Sequence, residues 1–262
     1  MTVYPSKYDP SQLIALERKR PFLTQKGELP FFGLDRWTAF ELSWLNTKGK
    51  PELAIATVDF DCQSKNMIES KSFKLYLNSL NHQKISSASE LKTLLCEDLT
   101  TCIGEPYVDV SLFLPSQWPE LHISCPNSKS LDVLDMACDY YYPNPDLIDV
   151  IGTNTEAQSW YTRLFRSECP VTGQPDWATI QLDYHGPQLC EKGLLQYLVS
   201  FRKHRGFHEQ CVEKIYMDLL EATSASFLKV EGRFLRRGGL DINPLRVSDS
   251  GACISSSRLT QQ

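Results

Sequence analysis

A cysteine in a short loop rich in proline and glycine is the first feature of this sequence that suggests chemistry. Cys169 is followed by Pro170, and Asp176 comes seven residues after the cysteine. Proline and glycine fix particular turns, so the segment predicts a rigid loop. A thiolate there can attack an electrophilic carbon while the carboxyl group protonates the atom that gains charge. The alternative is an inert cysteine in a tight turn, which is the commoner case for an arbitrary cysteine.

The second feature is a polar and basic run at 68–76, which leads from an extended segment into a predicted helix. Glu69 and Ser70 are typical of a helix start, and they favour a capped first turn in which Lys71 and Lys74 are solvated. Hydroxyl, N–H and ammonium groups at a helix start also form anion sites. The residue types alone favour the helix cap over the anion site.

Two further clusters lie in the last third of the chain. In Phe207-His208-Glu209, the carboxylate can accept two parallel hydrogen bonds from a guanine-like ring, beside a donor and an aromatic wall. A Glu in a first helical turn also needs no ligand to explain it. The basic turn at Arg236-Arg237-Gly238-Gly239 is typical of a solvated loop, or alternatively of a clamp for the phosphates of a dinucleotide.

Composition narrows the class of protein. The chain has 262 residues, 42% of them hydrophobic, and 27 Lys and Arg against 32 Asp and Glu give a net charge of -5. That sign argues against direct nucleic-acid binding. The first thirty residues hold no apolar run, so we expect no signal peptide, no membrane span and a cytoplasmic protein.

The possible metal ligands show little metal-site spacing. Nine cysteines form no C-x-x-C pair, and among the five histidines only His204 and His208 are spaced as H-x-x-x-H, which supplies two ligands at most. We therefore expect no metal, and we expect most of the thiols to be buried small hydrophobes. Cys169 is expected to differ from the other eight because it lies in a loop.

Hydrophobic periodicity predicts the same order of elements in both halves of the chain. The first half is predicted to contain strands at 37–45 and 52–61, helices at 73–80 and 91–99, and a strand at 107–114. The second half is predicted to contain strands at 160–165 and 177–184, a helix from Pro187 to about His204, a helix at 208–221, and extended chain at 227–234 and near Ile242.

The halves also repeat residue by residue. At an offset of 121 the first half matches the second at four positions: Lys71 with Lys192, Tyr76 with Tyr197, Leu77 with Leu198, and Ser79 with Ser200. Together with the repeated element order, these matches indicate an internal duplication. We predict an N-terminal arm at 1–34, a first module at 35–145 and a second at 146–262, with ordered structure beginning near Asp35.

Taken together, the four clusters resemble the QueF family of NADPH-dependent nitrile reductases, in its long, two-module form. Glu69–Tyr76 fits the E-S-K-S-x-K-L-Y signature of that family, Cys169–Asp176 fits its nucleophile loop, and Phe207–Glu209 fits its substrate-binding stretch. The resemblance extends from about Trp37 to Arg246.

The resemblance implies an α+β fold of two tandem tunnelling-fold modules, each an antiparallel four-stranded sheet with two helices on one face. It also implies a homodimer. The signature lies in the first module and the cysteine in the second, and Cys190 occupies the position that corresponds to Glu69 in the second copy. Neither module carries a whole site, so we expect the active site to form where the modules meet.

The resemblance also assigns roles in queuosine biosynthesis. Cys169 would attack the nitrile carbon of 7-cyano-7-deazaguanine to give a thioimide, Asp176 would protonate the nitrogen, and NADPH would reduce the carbon twice, to 7-aminomethyl-7-deazaguanine. The substrate-binding residues would be Ile68, Glu69, Ser70, His208 and Glu209. The cofactor-binding residues would be Ser70, Lys71, Arg237 and Gly238.

Two questions stay open at this point. A thiolate at Cys169 needs a cationic neighbour or backbone N–H groups, and His208 is one candidate. The alternative functions are a zinc-dependent pterin enzyme of the same fold, a cysteine hydrolase, and a non-catalytic purine-binding module. The absence of a G-x-G-x-x-G loop argues against a Rossmann dehydrogenase.

Overall fold

The computed structural model describes residues 4–21, 28–105, 107–250, 254–255 and 257–262. Within these ranges the α-helices are α1 Ser70–Ser79, α2 Ala88–Ile103, α3 Glu191–Ser200 and α4 His208–Thr223. The strands are β1 Ala15–Glu17, β2 Phe32–Leu45, β3 Pro51–Asp61, β4 Asn66–Ile68, β5 Asp109–Phe113, β6 Ile123–Ser124, β7 Lys129–Ser130, β8 Val150–Glu168, β9 Pro175–Leu189, β10 Phe227–Phe234, β11 Leu240–Val247 and β12 Arg258–Leu259.

The chain divides into two compact units, each assembled from three segments. The first unit is formed by 1–19, 35–122 and 236–241, and the second by 20–34, 123–235 and 242–262. The first contains α1 and α2, and the second contains α3 and α4. The fold is therefore α+β, and the predicted order of strand, strand, helix, helix and strand is confirmed in both halves.

In the first unit the strand order is β5-β3-β2, with β3 and β5 antiparallel. Successive side chains of a strand point to opposite faces, and one face of β3 is buried through Ala54, Ala56, Val58 and Phe60. Trp37 of β2 meets Phe60 and Phe73, with ring centroids 5.5 Å apart in both pairs. Because Phe73 belongs to α1, this aromatic cluster holds that helix against the sheet.

The second unit has the strand order β11-β10-β9-β8-β7. The first four of these strands are antiparallel, and β7 pairs in parallel with β8 through Lys129 and Trp160. The sheet therefore does not have the predicted four strands. The extra two-residue strand covers an edge of β8 that would otherwise leave backbone groups unpaired.

Two predicted boundaries are wrong. Pro187 does not open a helix: it pairs with Thr155 inside β9, and α3 begins at Glu191. Proline is tolerated there because the register of β8 and β9 shifts just beyond that pair. Ordered structure also begins before Asp35, since β1 pairs with β4.

The two units repeat the same hydrogen bond between a tyrosine and an aspartate. In the first, the hydroxyl of Tyr76 donates to Asp98 at 2.5 Å, and in the second that of Tyr197 donates to Asp218 at 2.6 Å. Tyr76 and Tyr197 are one of the pairs matched at the offset of 121. The sequence repeat therefore corresponds to a repeat of contacts.

The repeated contacts include residues of the predicted N-terminal arm at 1–34. Asp9 and Asn144 each cap a 3₁₀ turn that begins with proline. Each also donates its backbone N–H to a matched serine, Asp9 to Ser79 at 3.2 Å and Asn144 to Ser200 at 3.3 Å. The segment at 4–17 is thus the counterpart of the segment that leads into the second unit.

The cysteine environments differ from the expectation. Cys253 lies outside the described residues, and of the other eight only Cys62 and Cys211 are buried. Cys125 and Cys138 also lie outside helices and strands, so a loop position does not distinguish Cys169. Among the described residues no cluster of His, Cys, Asp and Glu is placed to hold a metal ion. No helix of the described chain has the length and apolar character needed to cross a membrane.

Candidate active site

The loop that carries Cys169 connects β8 to β9 in the second unit. Cys169 donates its backbone N–H to the carbonyl of Gln174, and Gly173 donates to the carbonyl of Cys169, both at 2.9 Å. Gly173 has φ of +70°, a conformation that favours glycine. These two bonds close the loop on itself, which explains its rigidity.

The pKa of the Cys169 thiol is set by opposing effects. Burial raises the pKa of the thiol, but hydrogen bonds from the Thr172 hydroxyl and from the backbone N–H groups of Thr172 and Val171 outweigh it, so the pKa lies below its ordinary value. Asp176 opposes these donors through its negative charge. Of the two expected sources of thiolate stabilisation, backbone N–H groups are among the causes of this lowered pKa.

A short backbone pairing brings the Phe207-His208-Glu209 cluster to this loop. Glu168 donates its N–H to the carbonyl of His204 at 2.8 Å, and Gly206 donates to the carbonyl of Glu168 at 3.2 Å. Glu168 immediately precedes Cys169, and Gly206 is two residues before His208. The last residue of β8 therefore fixes the start of α4 beside the nucleophile loop.

His208 is held on both its edge and its face. Its Nε2 lies 3.3 Å from Oδ1 of Asp176, and its ring stacks on Phe234 with centroids 3.9 Å apart. Asp176 and Glu209 are both 4% exposed. The second unit thus combines a nucleophile, a carboxyl–imidazole pair and a buried carboxylate.

Glu69 in the first unit is the N-cap of α1, as the sequence predicted. Its carboxylate accepts the backbone N–H of Lys71 at 3.0 Å and that of Ser72 at 2.6 Å. Ile68, which precedes it, is 2% exposed and pairs with Ala15. The signature is therefore held on one side by its own helix and on the other by the N-terminal segment.

The residues expected to bind a dinucleotide also lie in the first unit. A cavity of about 230 Å³ is lined by Tyr4, Glu41, Lys74, Leu77, Asn78, Asn81, Gly238, Gly239 and Leu240. Gly238 has φ of +57°, and a Cβ built there would lie 3.4 Å from Lys74. Lys71 is exposed, and its neighbour Ser70 is partly exposed. Cationic side chains beside a glycine turn form a donor set that fits NADPH phosphates.

Two family models match the chain. The model described as "Nitrile reductase, 7-cyano-7-deazaguanine-reductase N-term" matches residues 4–112, and the model described as "QueF-like protein" matches residues 175–251. Together they cover more than half of the sequence. The chain belongs to the QueF family.

Curated relatives agree with this membership. A protein from Bordetella avium (strain 197N) is 47% identical over 95% of this chain and 91% of its own length. Proteins from Albidiferax ferrireducens and Acidovorax ebreus are 44% and 46% identical over 100% and 94% of this chain, and over 96% and 91% of their own lengths. Each is named "NADPH-dependent 7-cyano-7-deazaguanine reductase".

The structure gathers the expected QueF residues into two sets. Cys169, Asp176, His208 and Glu209 belong to the second unit; Ile68, Glu69, Ser70, Lys71, Arg237 and Gly238 belong to the first. Sequence reasoning missed Thr172 and Phe234. Thr172 lies inside the loop that the sequence singled out, three residues after Cys169. Phe234 gave none, because only tertiary structure brings it to His208.

Proposed function

We propose that this chain is an NADPH-dependent reductase that converts the nitrile of 7-cyano-7-deazaguanine to the aminomethyl group of 7-aminomethyl-7-deazaguanine, in the biosynthesis of queuosine in tRNA. Family membership and relatives of that name support the reaction class. The structural observation that carries the proposal is the pair of Asp176 and His208, 3.3 Å apart, on the same unit as the closed loop of Cys169.

The first step forms a covalent bond. The thiolate of Cys169 attacks the nitrile carbon, so a C–S bond forms while one C–N π bond breaks. The electron pair on nitrogen takes a proton from the pair of Asp176 and His208, whose facing atoms are 3.3 Å apart. The product is a thioimide on Cys169.

In the remaining steps the carbon is reduced twice and the C–S bond to Cys169 breaks. NADPH, when bound, supplies a hydride for each of two reductions of the carbon. Between them the C–S bond breaks, and Sγ of Cys169 takes back the bonding electrons while an imine forms. In total, the nitrile takes up two hydrides and two protons to become the amine. Asp176 would deliver protons to the nitrogen.

Different clusters of residues would bind the base and the cofactor. Glu209 is buried and follows His208, which suits hydrogen bonds to a deazaguanine ring. Glu69 would share this role with Ile68 and Ser70. Cofactor binding would use Ser70, Lys71, Arg237 and Gly238.

The proposal also covers the organisation of the chain. The repeated contacts of Tyr76 and Tyr197 support tandem tunnelling-fold modules at 35–145 and 146–262, preceded by the arm at 1–34. We further propose a cytoplasmic homodimer. Light scattering of the purified protein tests the dimer, and a monomer mass would contradict it.

The direct test is NADPH oxidation, followed by absorbance, on addition of 7-cyano-7-deazaguanine. We expect two equivalents of NADPH per nitrile from the wild type and none from Cys169→Ala. Cys125→Ala is the matched control, because Cys125 is exposed and lies outside the clusters. Absence of NADPH consumption by folded wild type would refute the reductase.

Calorimetric binding separates the reductase from a purine-binding module. If the chain is a reductase, Cys169→Ala should still bind the base but lose turnover. If the chain is a purine-binding module, the variant should bind the base as the wild type does, and neither should show turnover. If Glu69 acts on the same substrate as Cys169, Glu69→Ala weakens binding of the base and slows the same reaction. Full activity of Glu69→Ala would remove Glu69 from the site.

A further inference from the structure

The segment at 257–262 lies against β10, the strand that ends at Phe234. Arg233, next to Phe234, donates from its guanidinium group to the backbone carbonyl of Ser257. At the far end of the segment the side chain of Gln262 is turned inward, so that the residue is only 8% exposed. A buried amide is costly unless its polar atoms are hydrogen-bonded, so the partners of this one show what it does.

The side chain of Gln262 uses its whole amide group. Its Nε2 donates to the backbone carbonyl of Phe234 at 3.3 Å and to Oδ1 of Asn243 at 2.7 Å. Its Oε1 accepts the backbone N–H of Leu259 at 3.0 Å. Because a backbone N–H can only donate, the amide oxygen has to face Leu259 and the NH₂ group has to face Phe234 and Asn243. The amide therefore has a single orientation.

The peptide group that follows Phe234 is held on both sides. Its carbonyl accepts from Gln262, and its N–H, which belongs to Leu235, donates to the carbonyl of Trp177 at 2.9 Å. The C=O and N–H of one planar peptide point in opposite directions, so these two bonds prevent its rotation. Without Gln262 only the bond to β9 would remain, and the end of β10 would be free to turn about it.

The ring of Phe234 carries this constraint to the candidate site. Its face stacks on His208 with centroids 3.9 Å apart and planes 10° apart, and its edge meets Phe165 with centroids 6.0 Å apart. Nε2 of His208 lies 3.3 Å from Oδ1 of Asp176. A shift of the ring would release the imidazole plane, and that release would change the distance between the two members of the proton-donating pair.

We propose that Gln262 is a positioning residue for the reaction, because its amide holds Phe234 in place behind His208. This inference rests on the proposed function. Through the stack, Gln262 keeps the imidazole facing Asp176 without touching the reacting atoms. Groups that supply a proton need such support, since small errors in their placement slow the chemical step.

The test observes His208 without nitrile or NADPH. A proton over the face of an aromatic ring resonates upfield, so NMR of protein labelled in its histidines reports the stack through the imidazole C–H protons. His208→Gln, which removes the signal, identifies it. Gln262→Met keeps the length of the side chain and removes the amide. Gln261→Met is the matched control, because Gln261 anchors the same segment to Thr179 and Arg163.

In Gln262→Met we expect the His208 signal to move downfield, toward that of an unstacked histidine. The kcat should fall about tenfold, as expected for a slightly misplaced catalytic group. The KM for NADPH should not change, because the residues expected to bind it belong to the first unit. Gln261→Met should lose thermal stability, as Gln262→Met does, but should keep the His208 signal and kcat of the wild type.

Three results would overturn the proposal: an unchanged His208 signal in Gln262→Met, equal changes of the signal in Gln262→Met and Gln261→Met, or a displaced signal with unchanged kcat. If Gln262→Met does not fold, as judged by circular dichroism, Gln262→Glu takes its place, since it keeps the acceptor for Leu259 and removes the donors. Failure of the reductase is recognised separately, because the NMR signal needs neither the nitrile nor NADPH.

Discussion

Nε2 of His208 lies 3.3 Å from Oδ1 of Asp176. The contact joins the first residue of α4 to the second residue of β9, and the stack of His208 on Phe234 fixes the imidazole plane. Asp176 also acts on the nucleophile, because its negative charge opposes thiolate formation at Cys169. One carboxyl group therefore influences both the proton donor and the nucleophile.

Replacing Asp176 by Asn should separate these two effects. Turnover should fall by about 10²–10⁴-fold, the usual contribution of a positioned acid. Alkylation of Cys169 by iodoacetamide near neutral pH, measured by mass spectrometry of the peptide that contains it, should become faster. Burial raises the pKa of that thiol, hydrogen bonds lower it, and the charge of Asp176 raises it, so removing the charge favours the thiolate.

The control for this variant is Asp183→Asn, on the same strand, where the side chain is 45% exposed. It should leave both rates unchanged. Slower alkylation in Asp176→Asn would contradict the electrostatic role of Asp176. Normal turnover in that variant would contradict its role as proton donor.

The N-terminal segment should matter through its backbone. Ile14 accepts the N–H of Glu69 at 2.9 Å and donates its own N–H to Ser72 at 3.1 Å. Ile14→Pro removes the second bond, so the free energy of unfolding should fall by about 1 kcal/mol. The KM for the nitrile should rise several-fold, because Ser72, in the first turn of the helix that Glu69 caps, loses a support.

Ile14→Ala is the matched control, because the side chain of Ile14 is 53% exposed and its N–H is retained. Urea unfolding and steady-state kinetics measure the two effects. If alanine and proline behave alike, the side chain matters and the hydrogen bond does not. If neither variant alters KM, the segment does not position the signature.

Local features of the sequence predicted most of the fold. The hairpin of β2 and β3 follows from alternating residues around a turn at 46–51, and α1 follows from a cap at Glu69. Pro187 misled the prediction, because proline is common both at helix starts and beside strand irregularities. Only the register of β8 and β9 decides between the two.

In the candidate site, too, local sequence patterns indicated some residues and only the tertiary structure revealed others. Cys169 and Asp176 lie close together in sequence, so spacing and loop chemistry identified them. The ring of Phe234 and the pairing of Glu168 with Gly206 depend on contacts between distant segments. Periodicity carries no information about such contacts.

Gly232 of β10 should be important for packing behind His208. A Cβ there would lie 2.7 Å from Val212 and 2.9 Å from Phe234. Gly232→Ala should therefore displace Phe234, which stacks on His208, and cost about 1–3 kcal/mol of stability. Thermal unfolding should show the loss of stability, and kcat should fall with it.

A second substitution makes this prediction specific. Val212→Ala removes the nearest obstructing atoms, so Gly232→Ala combined with Val212→Ala should recover part of both stability and kcat. Gly49→Ala serves as control, since a Cβ at Gly49 meets nothing within 4 Å, although its φ of +82° costs some strain. It should lower stability without changing kcat. Equal loss of kcat in Gly49→Ala and Gly232→Ala would contradict a local effect on His208.

Glu213 should anchor the helix that carries His208 and Glu209. Its carboxylate is buried between Arg20, at 2.9 Å, and Arg246, at 2.8 Å. Glu213→Ala leaves buried positive charge without its partner, so the free energy of unfolding should fall by about 3–5 kcal/mol. Glu221→Ala, at an exposed position of α4, should change it by less than about 0.5 kcal/mol. Urea titration gives both values, and near-equal values would mean that the arginines do not depend on Glu213.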